Sequence, residues 1–285
     1  MDRTYHFLLL GGDARQAWLA GLLARDGHGV TAVALEKEAS AAPGAAFSDG
    51  PEGAIDCAVL PAPVCGRDGN LCAPLSDRSL SLEDALALCR GARLVCAGRV
   101  SGAAQAAASA CGIVLHDLFA RPEVIVRNAV PTAEGALALA MQALPVTVHD
   151  ARVGILGFGR VGQACADAFA ALGARVCVYA RREEQRALAR SRGFDARPFD
   201  RPAEHEIVLN TVPAPVWGRE VWAALPAGTP VIELASAPGG VDPESARALG
   251  PRLLPAPGLP GKVAPASAGA YLRDAIYSLL HEAGI

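Results

Sequence analysis

Gly157, Gly159 and Gly162 stand at the spacing G-x-G-x-x-G within Arg152-Val153-Gly154-Ile155-Leu156-Gly157-Phe158-Gly159-Arg160-Val161-Gly162. An apolar run precedes them, and Gln163-Ala164-Cys165-Ala166-Asp167-Ala168-Phe169 follows as a helical segment. Strand, glycine turn and helix in that order make a dinucleotide-binding loop. The first glycine permits the tight turn, the second lets backbone approach a pyrophosphate, and the third lets helix and strand pack closely. The helix start, with Arg160 and Val161 between the last two glycines, then offers unpaired N–H groups to the phosphates. The competing reading is a tight turn in an α/β domain that takes no ligand.

The following strand decides which dinucleotide fits. It reads Arg175-Val176-Cys177-Val178-Tyr179-Ala180-Arg181-Arg182 and ends about 20 residues beyond the glycines, where an NAD site normally places Asp or Glu against the ribose hydroxyls. Here Ala180 is followed by two arginines, and a guanidinium matches a phosphate dianion with paired charge-assisted bonds. The expectation is NADP(H) rather than NAD, with Arg181 the better contact and Arg182 second. Against it, both arginines can be solvated residues opening a helix at 183–192, and Glu183 and Glu184 soften the local field. A further turn, Asn210-Thr211-Val212-Pro213, follows the fourth strand signal of this half. In such folds that loop lies over the nicotinamide-side ribose, which makes Thr211, Val212 and Pro213 lining candidates. An ordinary strand-ending turn is the alternative.

These loops need a scaffold. Short apolar runs alternate with helical-period segments along the chain, the signature of strands and helices wound into parallel sheets. Strands are predicted near 5–10, 29–34, 55–60, 93–97 and 113–116, with helices at 14–26, 82–90 and 103–111. The pattern restarts with strands near 152–157, 175–180, 206–210, 229–234 and 252–255, and helices at 160–172, 183–192, 217–224 and 242–249. Between the halves, an Ala/Leu-rich helix begins near Pro131 and ends before Pro145. A last helix, 266–282, follows the proline- and glycine-rich passage 255–265 and packs back on the first lobe. The expected architecture is α/β: two doubly wound parallel-sheet lobes with a cleft between them, the second a Rossmann NAD(P)-binding domain. Residues 1–128 with 265–285 form the substrate lobe, 129–150 the connecting helix, and 151–264 the NADP-binding lobe.

Composition agrees. A chain of 285 residues suits two ordinary domains, and 52% hydrophobic against 19% charged residues supports a generous core. Net charge is −3 and only Lys37 and Lys262 are lysines, which argues against a nucleic-acid binder or a polybasic membrane tether. The first apolar run is too short for a signal peptide, and the Ala-rich stretches 103–115 and 135–148 fall short of a bilayer span. A cytoplasmic location is expected. The eight cysteines (Cys57, Cys65, Cys72, Cys89, Cys96, Cys111, Cys165 and Cys177) form no C-x-x-C pair, and no histidine stands at ligand spacing from them. Reduced thiols acting as small hydrophobes are expected, with no metal site.

Five motifs in order carry a resemblance. They are Gly11-Gly12-Asp13-Ala14-Arg15-Gln16, Asn128-Ala129-Val130-Pro131-Thr132-Ala133-Glu134-Gly135, Gly157-Phe158-Gly159-Arg160-Val161-Gly162, Leu234-Ala235-Ser236-Ala237-Pro238-Gly239-Gly240 and Ala256-Pro257-Gly258-Leu259-Pro260-Gly261. Together they resemble the family of dipicolinate synthase A subunits over nearly the whole chain, most weakly in 36–90. The resemblance implies an oxidoreductase at the branch from lysine biosynthesis. It would form pyridine-2,6-dicarboxylate from dihydrodipicolinate or a hydroxylated tetrahydro precursor. It also implies a flavoprotein-like partner, the synthase's B subunit, with flavin possible there, a hetero-oligomer, and the mother-cell cytoplasm of a sporulating bacterium.

Such a substrate calls for cations and N–H donors. Candidates are Arg15 in the first-strand turn, Arg121 before the crossover, and Lys262 after Pro260-Gly261; Arg127 reads better as a surface cation. Asn128 and Thr132 belong to the crossover, where a helix starting at Pro131 directs N–H groups toward an anion. Glu134 is a candidate proton acceptor or a complement to the helix dipole. Asp13 is a second possible base, and equally a helix cap. Ser236 is placed to donate to a carboxylate or to the nicotinamide amide. The related two-lobed hydroxy-acid dehydrogenases use a histidine base ahead of the final helix, and Gly258-Leu259-Pro260-Gly261-Lys262 has none. His149, His205 and His281 read as solvated or structural.

Overall fold

The computed structural model describes residues 3–66, 68–200, 202–236 and 238–285; Ala237 of the fourth motif lies outside them. The chain divides into two compact units, Met1–Asn128 with Ala264–Ile285, and Ala129–Val263.

The first unit opens with β1 (His6–Leu10), α1 (Ala14–Arg25), β2 (Gly29–Val33), β3 (Ala46–Phe47) and β4 (Cys57–Val59). It continues through α2 (Leu82–Leu88), β5 (Leu94–Ala97), α3 (Gly102–Ala110) and β6 (Leu115–Asp117). The strands form one parallel sheet in the order β3-β2-β1-β4-β5-β6. Successive residues of β1 feed opposite faces, as the two-residue period requires: Phe7 and Leu9 join one core cluster, Leu8 and Leu10 the other. Burial on both faces explains why the strand is a continuous apolar run.

Helix α4 (Pro122–Ala143) carries the chain from the first unit into the second. This corrects the expected start. Pro122 takes the first helical position, and Pro131 sits nine residues inside. Its missing N–H deprives the Arg127 carbonyl of a partner, a cost that a 22-residue Ala/Leu-rich helix absorbs.

The second unit contains β7 (Arg152–Leu156), α5 (Arg160–Ala171), β8 (Arg175–Tyr179), α6 (Glu183–Ser191), β9 (Asp195–Arg197) and β10 (Ile207–Asn210). Then come α7 (Arg219–Ala223), β11 (Val231–Glu233), α8 (Pro243–Leu249), β12 (Leu253–Pro255) and the short α9 (Leu259–Val263). Its parallel sheet runs β12-β11-β10-β7-β8-β9, the same winding as the first read from the other edge. That winding is the doubly wound dinucleotide-binding order, with its switch point between β7 and β10. Again both faces are packed: Val176 and Val178 of β8 enter one cluster, Cys177 and Tyr179 the other.

The last helix, α10 (Pro265–Glu282), returns to the first unit. Leu272, Ala275, Ile276, Leu279 and Leu280 lie in the same cluster as Leu19 and Leu23 of α1. Gly269 makes this approach possible, since a Cβ there would meet the Arg15 carbonyl at 3.0 Å and the Leu19 nitrogen at 3.1 Å. Strands β3 and β9 and helix α9 extend the expected element set. Each has five residues or fewer, too short for periodicity to register.

Candidate functional site

The glycine turn after β7 is held from three sides. Gly157 adopts φ +93°, a left-handed conformation that favours glycine, and its N–H donates to the Tyr179 carbonyl at 2.8 Å. A Cβ on Gly157 would lie 2.7 Å from Thr211 Oγ1. That hydroxyl donates to the Leu156 carbonyl at 2.7 Å and braces the turn from β10. Gln163 Nε2 donates to the Phe158 carbonyl at 3.1 Å, fixing the turn to α5. Gly162 allows the helix to sit on the strand: a Cβ there would be 2.2 Å from the Gly157 carbonyl oxygen.

Gly159 differs. Its φ of −79° is open to any residue, and a Cβ would meet nothing within 4 Å. No packing inside the chain demands a glycine there. It is the N-cap of α5, and no side chain caps this helix, whereas Asp13, Ser81, Ser101 and Asp242 cap α1, α2, α3 and α8. The first intrahelical donor is Gln163, to the Gly159 carbonyl, so the N–H groups of Arg160, Val161 and Gly162 point outward at the positive end of the helix dipole. Open space beside uncapped donors fits a pyrophosphate.

At the end of β8, Ala180 is buried and Arg181 and Arg182 are exposed. Arg182 pairs with Glu184 at 3.6 Å. Among the described residues Arg181 has no carboxylate partner. Arg186, half-buried, donates through Nη1 to the carbonyls of Ala180 (2.6 Å) and Arg181 (2.7 Å), and through Nε to Glu183 at 2.8 Å. It fixes the backbone from which Arg181 springs.

Sequence reasoning missed a polar brace at the ends of β10 and β11. Asn210 and Glu233 are register partners on adjacent strands. Asn210 is fully buried, and its Nδ2 donates to the Val212 carbonyl at 3.1 Å and to both Glu233 carboxylate oxygens at 2.8 and 3.0 Å. Glu233 also accepts from Ala235 N at 3.0 Å and Gly240 N at 3.3 Å. The loops after both strands are thus tied together, and through Thr211 to the glycine turn. An amide and a carboxylate ending two neighbouring predicted strands was the available signal. Thr211 and Val212 are half-buried and Pro213 is exposed.

In the first unit, Asp13 and Arg15 come together. Asp13 caps α1, and both its oxygens accept from the Arg15 guanidinium at 2.7 to 3.1 Å. Arg15 Nη2 also donates to the Ala62 carbonyl at 3.1 Å, and the guanidinium lies 5.4 Å from the Phe119 ring centroid. Of the two roles expected for Asp13 the cap is the one observed, and its carboxylate also serves as the ion-pair acceptor of Arg15. Arg15 retains only Nη1 for an outside anion.

Arg121 is also reassigned. It holds Glu123 and, through both terminal nitrogens, Glu282 at 2.7 and 3.0 Å, clasping α10 to the start of α4; these carboxylates hold its guanidinium more firmly protonated than usual. Arg127 pairs with Asp274 at 2.7 Å and lies 4.1 Å from the Tyr271 ring centroid. With α4 beginning at Pro122, Thr132 and Glu134 are mid-helix, away from any free helix start, which corrects the expected anion site and dipole role. Asn128 and Thr132 lie one turn apart on one face, while exposed Glu134 is roughly 200° round the helix from Thr132. Ser236 and Lys262 are exposed.

Buried His205 bonds the Tyr179 hydroxyl at 2.7 Å, and burial pushes its pKa down to about 4, so it is a neutral structural group. His149 and His281 are exposed. The cysteine thiols are free; burial lifts Cys89, Cys165 and Cys177 to about 12, far from nucleophilic range. No helix among the described residues is long and apolar enough to cross a membrane.

Comparison with known proteins gives this geometry a context. Residues 6–119 match the N-terminal domain of the dipicolinate synthase A subunit, and residues 119–215 the NAD binding domain of D-isomer specific 2-hydroxyacid dehydrogenases. The chain is 32% identical over 282 residues to the dipicolinate synthase A subunit of Bacillus subtilis (strain 168), covering 96% of this chain and 95% of that protein. The crystal structure of the dipicolinate synthase A subunit from Bacillus halodurans superposes with a TM-score of 0.85 at 31% identity, over 97% of each chain. The A chain of dipicolinate synthase from Bacillus subtilis also gives 0.85, at 30% identity, over 100% of this chain and 98% of that one. The glycine turn and β8 therefore belong to a nicotinamide-cofactor domain.

Proposed function

The chain belongs to the family of dipicolinate synthase A subunits, and we propose from that premise that it forms dipicolinate by an NADP-dependent oxidation. The substrate is dihydrodipicolinate or its hydroxylated tetrahydro precursor, and the partner is a flavoprotein-like B subunit in the cytoplasm of a sporulating mother cell. The nicotinamide-binding domain makes the chain an oxidoreductase subunit. One observation carries the choice of NADP: Arg181, two residues past the end of β8, is exposed and among the described residues has no carboxylate partner, on the strand beside the uncapped turn at Gly159.

Bound NADP+ would supply the hydride acceptor: dihydrodipicolinate becomes aromatic by losing a hydride to it and a proton to water, and the hydroxylated tetrahydro precursor must first eliminate water. Gly159 and the N–H groups of Arg160, Val161 and Gly162 hold its pyrophosphate. Arg181, with Arg182 behind it, takes the extra phosphate through paired charge-assisted bonds. Thr211, Val212 and Pro213, braced by Asn210 and Glu233, line the nicotinamide side and keep water from it. Of the groups suited to carboxylates, the first unit carries Arg15 Nη1 and the Asn128 amide, and the second carries the Thr132 and Ser236 hydroxyls and the Lys262 ammonium.

A second reading has its own support. Asp13 is committed to Arg15, and Glu134 is exposed away from Thr132, so neither is set up as a proton acceptor. In that reading the chain binds NADP and works through a flavin on the partner. Co-purifying the two proteins and following dipicolinate formation with each nucleotide, with and without flavin, separates the two. On the first reading NADP+ alone supports turnover; on the second, flavin is required. Arg181→Asp should weaken NADP binding and favour NAD. Unchanged selectivity refutes the phosphate assignment.

A further inference from the structure

Arg181 stands beside two glutamates, Glu183 and Glu184, the first only two residues away. A free carboxylate at that distance competes with a phosphate for the guanidinium and repels the phosphate itself. The structure answers this with other arginines. Glu183 accepts from Arg186 at 2.6 and 2.8 Å through one oxygen, and pairs with Arg190 through the other. Those bonds hold the Glu183 carboxyl below its usual pKa range, ionised and occupied. Glu184 pairs with Arg182. Arg186 also covers the two carbonyl oxygens, of Ala180 and Arg181, whose partial negative charge flanks the same point. Both acids have a cation, and among the described residues Arg181 is left over.

We infer that Arg186 and Arg190 are specificity-determining positioning residues: by withdrawing Glu183 they keep Arg181 available for the phosphate that distinguishes NADP from NAD. The inference rests on the proposed role of Arg181. It explains how a strand end flanked by two glutamates selects a dianion. Arg186 acts on the carboxylate and the backbone together; Arg190, one helical turn further on, acts on the carboxylate alone.

The test is the affinity of the folded full-length chain for NADPH and NADH, measured by calorimetry at low and high salt. Arg190→Gln should weaken NADPH binding about two- to fivefold, in the range of exposed ion pairs, and leave NADH unchanged. Adding Glu183→Gln should restore NADPH affinity, because no carboxylate remains to withdraw. Arg186→Gln should lose more and be only partly restored by Glu183→Gln. The NADPH losses should shrink at high salt. Thermal melts matching the wild type establish that the variants fold. NADH affinity falling in parallel, or a double variant no better than Arg190→Gln, overturns the inference while the Arg181 reading stands. A wild-type chain with no preference for NADPH overturns the Arg181 reading and the inference with it.

Discussion

Gly159 and Gly162 belong to one motif but answer to different demands, and replacing each by alanine separates them. At Gly162 a Cβ would sit 2.2 Å from the Gly157 carbonyl oxygen, well inside the roughly 3.5 Å of ordinary contact. That carbonyl has little room to retreat, because Gly157 is anchored to Tyr179 and boxed in by Thr211. Gly162→Ala should therefore cost about 1–3 kcal/mol of stability, the range for overpacking, and lower the melting temperature by several degrees. At Gly159 a Cβ meets nothing within 4 Å and φ is −79°, so the unliganded protein has no steric objection. Restricting the unfolded chain contributes about 0.4–1 kcal/mol, and alanine's poorer N-capping costs a similar amount, which leaves stability nearly unchanged. The methyl group nevertheless projects into the space assigned to the pyrophosphate, so nucleotide affinity should fall at least tenfold. Scanning calorimetry and nucleotide titration on both variants make the comparison. A Gly159→Ala chain that melts like wild type and binds nucleotide equally well refutes the argument that this glycine answers to a ligand.

Three further outcomes follow from the packing. All the donors at Glu233 are N–H groups, so Glu233→Gln sets an NH2 against one of them; a loss of about 1–3 kcal/mol is expected by denaturant titration, and wild-type stability would show that the brace carries no energy. His205 titrates at 6.5 when unfolded and at about 4 when folded, so the unfolded state binds more protons between those values. Stability is full above pH 6.5 and should decline as pH falls to about 4, by on the order of 3 kcal/mol from this group, and His205→Gln should flatten that part of the profile. Arg121→Ala, which releases Glu282, should lower the melting temperature slightly and leave dipicolinate formation by the reconstituted pair unchanged; lost turnover would return Arg121 to the substrate.

The parts legible in the sequence were those with a local cause. Gly157 and Gly162 announce a turn because their backbone and packing exclude a side chain, and β7 and β8 announce themselves by continuous apolar runs buried on two faces. Partnerships were not legible. Arg15 and Arg121 are cations in sequence, and only the fold reveals that one lies on Asp13 and the other reaches across 161 residues to Glu282. The start of α4 was misplaced because Pro131 imitates a helix opening, while the true first position belongs to Pro122, the same residue type nine positions earlier. Glu183 and Glu184 look in sequence as though they spoil a phosphate site, and their neutralisation by Arg186, Arg190 and Arg182 exists only once α6 is wound.

The packing of α10 against α1 has a consequence for biosynthesis. A ribosome delivers α1 some two hundred and fifty residues before the helix that covers it, and everything from Ala129 to Val263 emerges in between. The nucleotide-type lobe has its full complement of strands while Leu19 and Leu23 still wait for Leu272 and Ile276. The amino-terminal lobe is thus begun first and finished last. During that interval its unfinished apolar face is open to association with other chains or with a chaperone.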